Sequence, residues 1–546
     1  MAARLRSSNL LKANRCTRNI LPGAGSNRYM HGGLSRAGPG IAAWIFVGFL
    51  AIYIALTRGH FYSADEVEVF QQTRSLWERG DLAVAPQINT IPGRDGRYYA
   101  QYGIGQTVLA IPFYWLGKQV HKFLTVAGAD SGIKIFEGPL IGDPDKRYGG
   151  EVEIFFVTLF GAFVMAALMA VFFLFNIRLG ASPRAAIAAT VILGLTTHVA
   201  GFSVEFLQHP AEALFLLLAF YFLFADAARP RARYRWLAGA AASMMILVRA
   251  SSLILLPPLT VYLLWRALNR SRTEPGHRAI WNVVRGGVDF VIPVLAAIFV
   301  TMAVNRAKFG RYSISGSYLA FNHFSNSYLV SFYGWLFSPG ESLFLFSPIL
   351  LLAPVYFRPF AKNRLPETAA ILGLTASYAF FYGLSGSWHG QWCFGPRLLM
   401  ALVPLLVLPL ARWLEGLRPL ACYAVVLLAM IGAFVEILHI AVNVSYVHYR
   451  EGYDNLVPSD AYIFIPQICQ LLAHWRALLA HDYRLDMWLV NVGRQSGPWP
   501  VIVILALLSV PLIVAIDRIS LFFRRLPGGE EKHPETAGSS AAAHVI

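Results

Sequence analysis

The feature that most constrains this sequence is a series of apolar runs that are long enough to cross a lipid bilayer. A scan for runs of about 17 to 25 apolar residues finds twelve cores between residues 41 and 517. Charged residues make up 14% of the 546 positions, whereas soluble proteins contain about 25%. The chain is therefore predicted to be an all-α polytopic membrane protein with about twelve transmembrane helices. The predicted cores are Ile41–Leu56, Ile154–Phe175, Ala185–Phe202, Ala211–Phe224, Trp236–Val248, Leu253–Trp265, Val288–Val304, Leu343–Phe357, Ala369–Leu384, Leu398–Leu410, Leu420–Leu438 and Val501–Ile516.

The positions of the basic residues predict how the chain is oriented. Lys and Arg are retained on the cytoplasmic side of membrane proteins, and residues 229–235 hold four arginines in one short connection. With this connection inside, both termini are cytoplasmic, and the tails are 1–40 and 518–546. Residues 1–40 and 526–546 of these tails are expected to be disordered. The membrane domain is then 41–517. Its long outer loops are 58–150, 305–337, 385–397 and 441–498.

The same distribution accounts for the net charge of +16. The basic residues do not form one patch, and no zinc-finger or helix-turn-helix pattern accompanies them, so membrane lipids rather than nucleic acid are the expected partner. Residues 103–124 are apolar enough to suggest another span, but counting them would place 229–235 outside. They are predicted instead to form an amphipathic helix in the outer interface, with Tyr114 and Trp115 at headgroup depth.

An acidic segment follows the first predicted span directly. It reads Ser63-Ala-Asp65-Glu66-Val-Glu68, and carboxylates beside the hydrocarbon boundary are costly unless they are paired, hydrated or used. A carboxylate in this position can act as a general base on a hydroxyl group. The alternative is that Asp65 caps the helix that follows, and the two roles can coexist on adjacent residues.

A second outer segment combines aromatic rings, amides and glycines between residues 96 and 106. This composition suits a sugar ligand, because aromatic faces and amide groups both bind sugars. An aromatic belt at the membrane interface is the alternative. The candidate substrate-binding residues of this segment are Tyr98, Tyr99, Tyr102 and Gln106.

A short outer turn at 203–212 holds two further candidates, Glu205 and His209. Four residues separate them, so on a helix they would share one face and could bind a cation or relay a proton. Two ligands do not make a metal site, and a hydrogen-bonded polar cluster at the end of a span is the alternative.

The strongest cluster is Trp388-His389-Gly390-Gln-Trp-Cys-Phe-Gly-Pro-Arg397, which leads into a predicted span. Glycines permit tight turns and close approach of a ligand, so Trp388 and His389 are candidate substrate-binding residues. Arg397 would stand at the N-terminus of the span, an arrangement that suits a lipid phosphate. Arg249, at another predicted outer turn, is a second candidate for that phosphate. The alternative is that Arg397 snorkels to lipid headgroups.

Three other features belong to the membrane domain. Two Phe-Ser-Pro triplets begin nine residues apart, at Phe337 and Phe346, and predict a kinked or re-entrant entry that lines a cavity. Asp289 and Glu436 lie inside predicted spans and need polar partners. The four cysteines include Cys393 and Cys469, which both fall in outer loops where an oxidising environment would allow a disulfide.

Together these segments resemble the multi-span glycosyltransferases of the GT-C class, and in particular the phospholipid-carrier-dependent group of protein mannosyltransferases and aminoarabinose transferases. The resemblance covers the layout of about residues 45–500. It is carried by the acidic pair, by Glu205-Phe-Leu-Gln-His-Pro210, by Phe337-Ser-Pro-Gly-Glu-Ser-Leu-Phe344 and by the 388–397 segment. The Asp-Glu pair is the motif that the whole class shares.

The resemblance implies a GT-C-like fold and an inverting transfer of a sugar from a polyprenyl-phosphate donor to an acceptor hydroxyl of a glycan, lipid or protein. It also implies a site on the periplasmic face of a bacterial inner membrane. Asp65 would be the general base and Glu66 its neighbour in the pair. The sequence does not require a divalent cation, for which Glu205 and His209 are the available residues. The alternative function is a transporter or flippase, although the two halves of the chain show no visible repeat.

Overall fold

The computed structural model describes residues 27–87, 89–128, 151–271, 276–315, 324–456, 460–480 and 485–525. These residues are mainly α-helical, which confirms the predicted fold class. Residues 1–26 and 526–546, which form most of the predicted tails, lie outside the described residues. Residues 27–40 are helical instead of disordered, because they extend the first apolar helix. Residues 518–525 likewise extend the last apolar helix.

In the described part of the chain, the first nine α-helices are numbered α1 to α9. They are α1 (Asn27–Leu56), α2 (Ala64–Arg79), α3 (Ile104–Val126), α4 (Glu151–Leu179), α5 (Pro183–Thr196), α6 (His209–Ala228), α7 (Ala232–Val248), α8 (Leu256–Ser271) and α9 (Gly276–Phe309). The later α-helices are Tyr328–Phe337, Leu343–Phe346, Ala353–Asn363, Leu365–Gly383, Val403–Val407, Leu410–Leu414, Pro419–Ala441, Val444–Glu451, Ala461–Phe464, Gln470–Leu479, Trp488–Ser496 and Pro498–Arg525. Short 3-10 helices cover Gly201–Val204, Ala250–Leu255, Pro348–Leu352, Arg397–Leu402, Tyr453–Asn455 and Pro466–Ile468.

Seven helices among the described residues are long and apolar enough to cross a membrane, so the chain is a multi-pass membrane protein. The predicted count of twelve spans is not confirmed. The seven candidate spans are Gly38–Leu56, Val152–Leu179, His209–Ala228, Ala250–Arg270, Val283–Phe309, Pro419–Ala441 and Pro498–Arg524.

Two of the predicted spans are broken into short pieces. The chain predicted as Leu343–Phe357 contains a 3-10 helix that begins at Pro348, the last residue of the second Phe-Ser-Pro triplet. The predicted kink is therefore present, although neither triplet lines the cavity described below. The chain predicted as Leu398–Leu410 also begins with a 3-10 helix rather than an α-helix. Proline removes a backbone N–H and clashes with the preceding turn, and prolines at 348, 404 and 409 punctuate these segments.

The segment predicted as an interfacial helix forms α3, which is not among the seven candidate spans. It packs against α2, α4 and α7. Trp115 is 46% exposed, but Tyr114 is buried and its hydroxyl donates to Glu78 at 2.7 Å. The Tyr114 ring therefore faces α2 inside the protein, whereas Trp115 lies on the surface. That both rings lie at headgroup depth stays a prediction.

A small antiparallel sheet joins α2 to α3 and is the exception to the all-helical pattern. Its strands are β1 (Ala83–Val84), β2 (Ile91–Pro92) and β3 (Tyr98–Tyr99), in the order β1-β3-β2. Tyr99 pairs with Ala83 on one side and with Ile91 on the other. The sheet thus fixes the path of the chain between the two helices that bring the first outer loop to the membrane domain.

The helices pack around α4 and α6. α4 contacts α1, α3 and α6, while α7 packs between α6 and α9. Asp289 of α9 finds the polar partner that its position requires, since Arg235 of α7 donates to its Oδ2 at 2.7 Å. Arg235 also donates to Asp226 at 3.0 Å. The arginine-rich connection is therefore tied to the end of α6 and to Asp289 within α9.

Candidate active site

A cavity of about 880 Å³ lies where the first outer loop meets the ends of several membrane helices. The starts of α2 and α6, the end of α9 and the loop before residue 398 all contribute to its wall. Its volume falls within the range of about 300 to 1,000 Å³ that is usual for small-molecule sites. Polar lining residues are Asp65, Asn89, Gln101, Tyr102, Gln208, His209, Arg249, Asn305, Tyr312, Ser387, Gln391 and Arg397, and apolar lining residues include Val69, Phe206, Leu253, Ile254, Pro257, Met302, Val304 and Phe381.

Asp65 and Arg397 meet in the wall of this cavity. Nη1 of Arg397 lies 3.4 Å from Oδ2 of Asp65, although the two residues are 332 positions apart. Oδ1 of Asp65 accepts a hydrogen bond from the amide of Asn89 at 3.2 Å. The Asp65 side chain remains 22% exposed and that of Arg397 15% exposed. An anionic acid and a fixed guanidinium are thus both accessible to a molecule in the cavity.

The N-terminus of α2 sets the position of Asp65. Ser63 and Glu66 form a capping box, so the alternative that Asp65 caps the helix is wrong. One Glu66 oxygen accepts from the backbone N–H groups of Tyr62 and Ser63 at 2.9 and 3.1 Å, and the other accepts from that of Phe206 at 2.7 Å. Because these bonds fasten α2 to the chain before α6, Glu66 positions Asp65.

Glu66 does not line the cavity, which corrects the expectation that both acids belong to the catalytic group. Its side chain is 1% exposed. Burial, together with the nearby Glu205 carboxylate, raises the pKa of Glu66 to about 7. A carboxyl group with these partners is a structural support for the site rather than a contact for a ligand.

The segment 388–397 brings Arg397 to the cavity through an unusual backbone path. Gly390 has φ +82°, and a Cβ there would lie 2.7 Å from Cγ of Arg397. Gln391 also has a positive φ, of 53°, which is uncommon for a residue other than glycine. Both residues line the cavity, so the absence of a side chain at Gly390 lets the arginine pass close to the loop.

Arg249 lies in the same cavity and is held by a buried acid. Its Nη1 is 3.4 Å from Oε2 of Glu212, and its guanidinium stacks over the ring of Tyr382 at 5.1 Å. Glu212 also accepts hydrogen bonds from Tyr378 at 2.9 Å and from Ser252. These contacts fix the second predicted cation at the turn between α7 and α8.

Several residues predicted from the 96–106 segment do not reach the cavity. Tyr98 is exposed on β3, and Tyr99 is buried with its hydroxyl donating to Asp95 at 2.8 Å. Gln106 is fully buried and donates to the carbonyl of Phe206 at 2.7 Å. Only Tyr102 of the four candidates lines the cavity, because the sheet turns its neighbours toward solvent or toward the protein interior.

The predicted pairing of Glu205 with His209 is wrong. Glu205 follows a 3-10 helix and His209 begins α6, so no single helix carries both residues. Oε1 of Glu205 lies 3.0 Å from Nε2 of His439 and 3.8 Å from Nη1 of Arg58. His209 lines the cavity. The two side chains therefore serve different parts of the molecule and do not share a cation.

The aromatic residues of the 388–397 segment are mainly structural. Trp388 is 2% exposed, and its ring packs against that of Trp335 at 5.8 Å. His389 does not line the cavity, and its Nδ1 accepts from the backbone N–H of Gln391 at 3.2 Å. Burial, aided by the Arg397 charge, lowers the pKa of His389 to about 4. Neither Trp388 nor His389 therefore occupies the substrate-contacting position that the sequence predicted.

The two outer-loop cysteines are not linked. Cys393 and Cys469 are both free and buried. The thiol of Cys393 instead donates to the carbonyl of Gly395 at 3.3 Å. The disulfide that the sequence allowed is therefore not formed.

Sequence reasoning missed several polar residues of the cavity. Asn89 holds Asp65, and Gln391 follows Gly390 in the loop beside Arg397. Asn305 and Tyr312 come from the end of α9 and the chain after it. Gln391 lies inside the strongest cluster and had a local signal, but Asn305 and Tyr312 have none, since only the tertiary fold brings the end of α9 to this cavity.

The molecule is thus a helical multi-pass membrane protein with a polar and apolar cavity at the ends of its helices. A family model described as dolichyl-phosphate-mannose-protein mannosyltransferase matches residues 151–296, and this match confirms the resemblance found in the motifs. The matched region contains Glu205, His209 and Arg249 but neither Asp65 nor Arg397. Among curated protein sequences, none matches this chain significantly.

Two solved structures are similar to this one. ArnT from Cupriavidus metallidurans, bound to undecaprenyl phosphate, is 13% identical, with a TM-score of 0.45 over 88% of this chain and 76% of that one. The archaeal oligosaccharyltransferase AglB from Archaeoglobus fulgidus, in complex with an inhibitory peptide and a dolichol-phosphate, is 11% identical. Its TM-score is 0.39, over 79% of this chain and 59% of AglB.

Proposed function

We propose that this chain is a membrane glycosyltransferase that moves a sugar from a polyprenyl-phosphate donor to an acceptor hydroxyl. The observation that carries the proposal is the Asp65–Arg397 pair, at 3.4 Å, in a cavity whose remaining lining combines polar and apolar residues. A lipid-linked sugar has the matching chemistry, with an anionic polar head and an apolar chain. The match of residues 151–296 to a mannosyltransferase family supports the same class.

In the proposed reaction, Asp65 takes the proton from the acceptor hydroxyl while its oxygen attacks the anomeric carbon of the donor sugar. The bond between that carbon and the phosphate oxygen breaks, and the lipid phosphate leaves with the bonding electrons. Arg397 stabilises the negative charge that develops on this leaving group. Attack from the side opposite the phosphate inverts the anomeric configuration. The sugar is a hexose or pentose, and the acceptor is a glycan, a lipid or a protein.

Arg249 is proposed as a second contact for the donor phosphate. Its link to the buried Glu212 and its stacking on Tyr382 fix the guanidinium before a ligand arrives. A preorganised cation stabilises developing charge without the cost of reorganising solvent. Two guanidinium groups in one cavity suit the phosphate of a lipid carrier better than an uncharged substrate.

The position of the cavity supports an extracytoplasmic site, which is periplasmic in a bacterial inner membrane. His209 and Arg249 line the cavity at one end of α6 and α7, and the connection 229–235 joins the other ends of the same helices. A 20-residue helix spans about 30 Å, which is the thickness of the hydrocarbon core. Since the arginine-rich connection belongs inside, the cavity belongs on the outer side.

The decisive experiment replaces Asp65 by Asn in the purified full-length protein. We expect transfer to fall by about 10² to 10⁴, the usual contribution of a general base, while expression and the elution profile on size exclusion stay normal. Asp81→Asn is the matched control, because Asp81 pairs with Arg79 and Arg97 away from the cavity. Turnover of the Asp65 variant near that of the control would remove Asp65 from this role.

The same preparation separates transfer from the alternative of a transporter or flippase. The protein is incubated with a panel of polyprenyl-phosphate sugars, and release of free lipid phosphate is measured. A glycosyltransferase releases the lipid phosphate from at least one donor, whereas a transporter leaves every donor intact. If no donor released its lipid phosphate, even with cell-envelope extracts added as a source of acceptor, the proposed function would be overturned.

A further inference from the structure

A second polar cluster lies outside the cavity, in the protein interior. His198 follows α5, while Glu436 and His439 belong to the helix Pro419–Ala441. All three side chains are buried, and one ligand atom from each lies within 4.8 Å of the others. Nδ1 of His198 is 3.9 Å from Oε1 of Glu436, and Nδ1 of His439 is 3.6 Å from Oε2. None of the three residues lines the cavity described above.

The cluster contains polar atoms that the protein leaves without hydrogen bonds. Both ring nitrogens of His198, Oε1 of Glu436 and Nδ1 of His439 are buried and have no such partner. Buried polar groups are nearly always satisfied by protein, water or an ion, and a carboxylate within an apolar helix is costly unless it is paired. One ligand atom from each residue lies within 4.8 Å of the others, and unsatisfied polar atoms gathered this closely indicate a bound group.

The remaining atoms of the cluster are held in the way that metal ligands usually are. Nε2 of His439 lies 3.0 Å from Oε1 of Glu205, which leaves Nδ1 as the ligand nitrogen. The backbone N–H of Gly201 donates to Oε2 of Glu436 at 2.9 Å, which leaves Oε1. Carboxylate and backbone partners of this kind orient metal-bound side chains and increase the basicity of the imidazole.

The glycine at position 201 belongs to the same arrangement. A Cβ at Gly201 would lie 1.8 Å from Nδ1 of His439, so a side chain there would occupy the space in front of the ligand nitrogen. The backbone N–H of His198 donates to the hydroxyl of Ser347 at 3.0 Å, which fixes the third ligand. Gly201 therefore packs closely against the His439 ring, and Ser347 anchors the backbone of His198.

We propose that His198, Glu436 and His439 bind a first-row divalent cation, for which Zn²⁺ is the best match. Two imidazoles and one carboxylate form a common zinc ligand set, with a fourth position for water. A divalent ion also balances the local charge. Arg58 is shared between two carboxylates, those of Glu205 at 3.8 Å and Asp486 at 3.6 Å, and Glu436 adds a third, so the carboxylates outnumber this arginine.

The ion has a structural task in this arrangement. It joins the end of α5 to the helix Pro419–Ala441, and through His439 it holds Glu205. Glu205 is the residue before Phe206, whose backbone N–H binds Glu66 at 2.7 Å. The metal site therefore supports the chain segment to which the N-terminus of α2 is fastened. It does not contact the substrate cavity and takes no part in bond breaking.

The test measures metal in the purified full-length protein, prepared without chelators and with its affinity tag removed. We expect about one zinc per chain by inductively coupled plasma mass spectrometry. His198→Gln and His439→Gln should each lose most of it, whereas His474→Gln should retain it. His474 is a matched control, because it is fully buried close to the cluster but its Nδ1 bonds to the carbonyl of Gln470 at 2.8 Å.

A second measurement keeps the proposal decidable if a variant fails to fold. Metal-depleted wild type should melt at a lower temperature, by about 3 °C or more, and added Zn²⁺ should restore the melting temperature. The proposal is overturned if the wild type contains no stoichiometric metal and does not respond to Zn²⁺. It is also overturned if all three variants retain the zinc. These results do not depend on glycosyl transfer, so the two proposals fail separately.

Discussion

At the scale of the residue, the position of Arg397 depends on a neighbour that carries no side chain. Gly390 has a positive φ of 82°, and a Cβ atom added at this position would lie 2.7 Å from Cγ of Arg397. Gly96 has nearly the same φ, of 76°, but no atom lies within 4 Å of its Cβ position. A side chain at either glycine would strain the backbone, but only a side chain at Gly390 would also collide with Arg397. Comparing the two positions therefore isolates the effect of the contact with Arg397.

We expect Gly390→Ala to impair the enzyme more than Gly96→Ala. Both variants pay about 1 to 2 kcal/mol for a left-handed alanine, but only the first moves Arg397 away from Asp65. The Gly390 variant should raise the KM for the lipid donor or lower kcat by about tenfold or more. Titration of the donor against both purified variants checks this. Equal kinetics in the two would show that the contact with Arg397 is unimportant.

At the scale of the element, α2 carries one acid to the cavity and buries its neighbours. Glu68 is fully buried, and burial together with the Asp65 charge raises its pKa to about 9. Glu78 lies near the other end of α2. Burial is outweighed there by hydrogen bonds from Lys118 and Tyr114, which lower the pKa of Glu78 to about 2. One helix therefore contains two carboxyl groups that should affect stability at opposite ends of the pH scale.

The pH dependence of stability should follow Glu68. Its pKa in the unfolded chain is about 4.3, so the folded state binds the proton more tightly. Its contribution to stability is therefore fully present below pH 4 and is lost as the pH rises toward 9. We expect Glu68→Gln to reduce the fall in melting temperature between pH 5.5 and pH 8.5. Glu78→Gln should leave that fall unchanged, and an identical slope in the wild type and the Glu68 variant would contradict the prediction.

The helix α9 supplies a second test, of the apolar part of the cavity. Val304 lines the cavity, whereas Val300 is 40% exposed one turn earlier in the same helix. A tryptophan at position 304 would occupy part of the cavity, so Val304→Trp should raise the KM for the polyprenyl donor by about tenfold, which corresponds to about 1.4 kcal/mol of binding free energy. Val300→Trp is the control and should bind the donor normally. If both variants had the same KM for the donor, the lipid chain would not occupy the part of the cavity next to Val304.

At the scale of the whole molecule, the proposed orientation places the first outer loop and the arginine-rich connection on opposite sides of the membrane. Asp95 and Arg231 are both exposed and represent these two regions. In a background without the four native cysteines, a membrane-impermeant maleimide should label Asp95→Cys in intact cells. Arg231→Cys should be labelled only after permeabilisation. The reverse result would invert the topology and place the cavity inside.

The sequence by itself determined the class of fold and selected three charged residues of the candidate site. Its apolar runs and low charge require a helical membrane protein, because a spanning chain must satisfy its own backbone hydrogen bonds. Its motifs also selected Asp65, Arg249 and Arg397, which all line one cavity. These residues were identifiable because a charged side chain beside the hydrocarbon boundary is costly unless it is paired, hydrated or used, and this holds whatever the exact path of the chain.

Only the tertiary structure decided which polar residues face the cavity and which are buried supports. Asp65 and Glu66 are adjacent in sequence, yet one meets Arg397 and the other fastens α2 to Phe206. The predicted count of twelve spans is not confirmed for a related reason, since apolar composition does not show where prolines break a run into short helices. Contacts between distant segments, such as Glu205 with His439, depend on how the helices pack, and local sequence carries no signal of that packing.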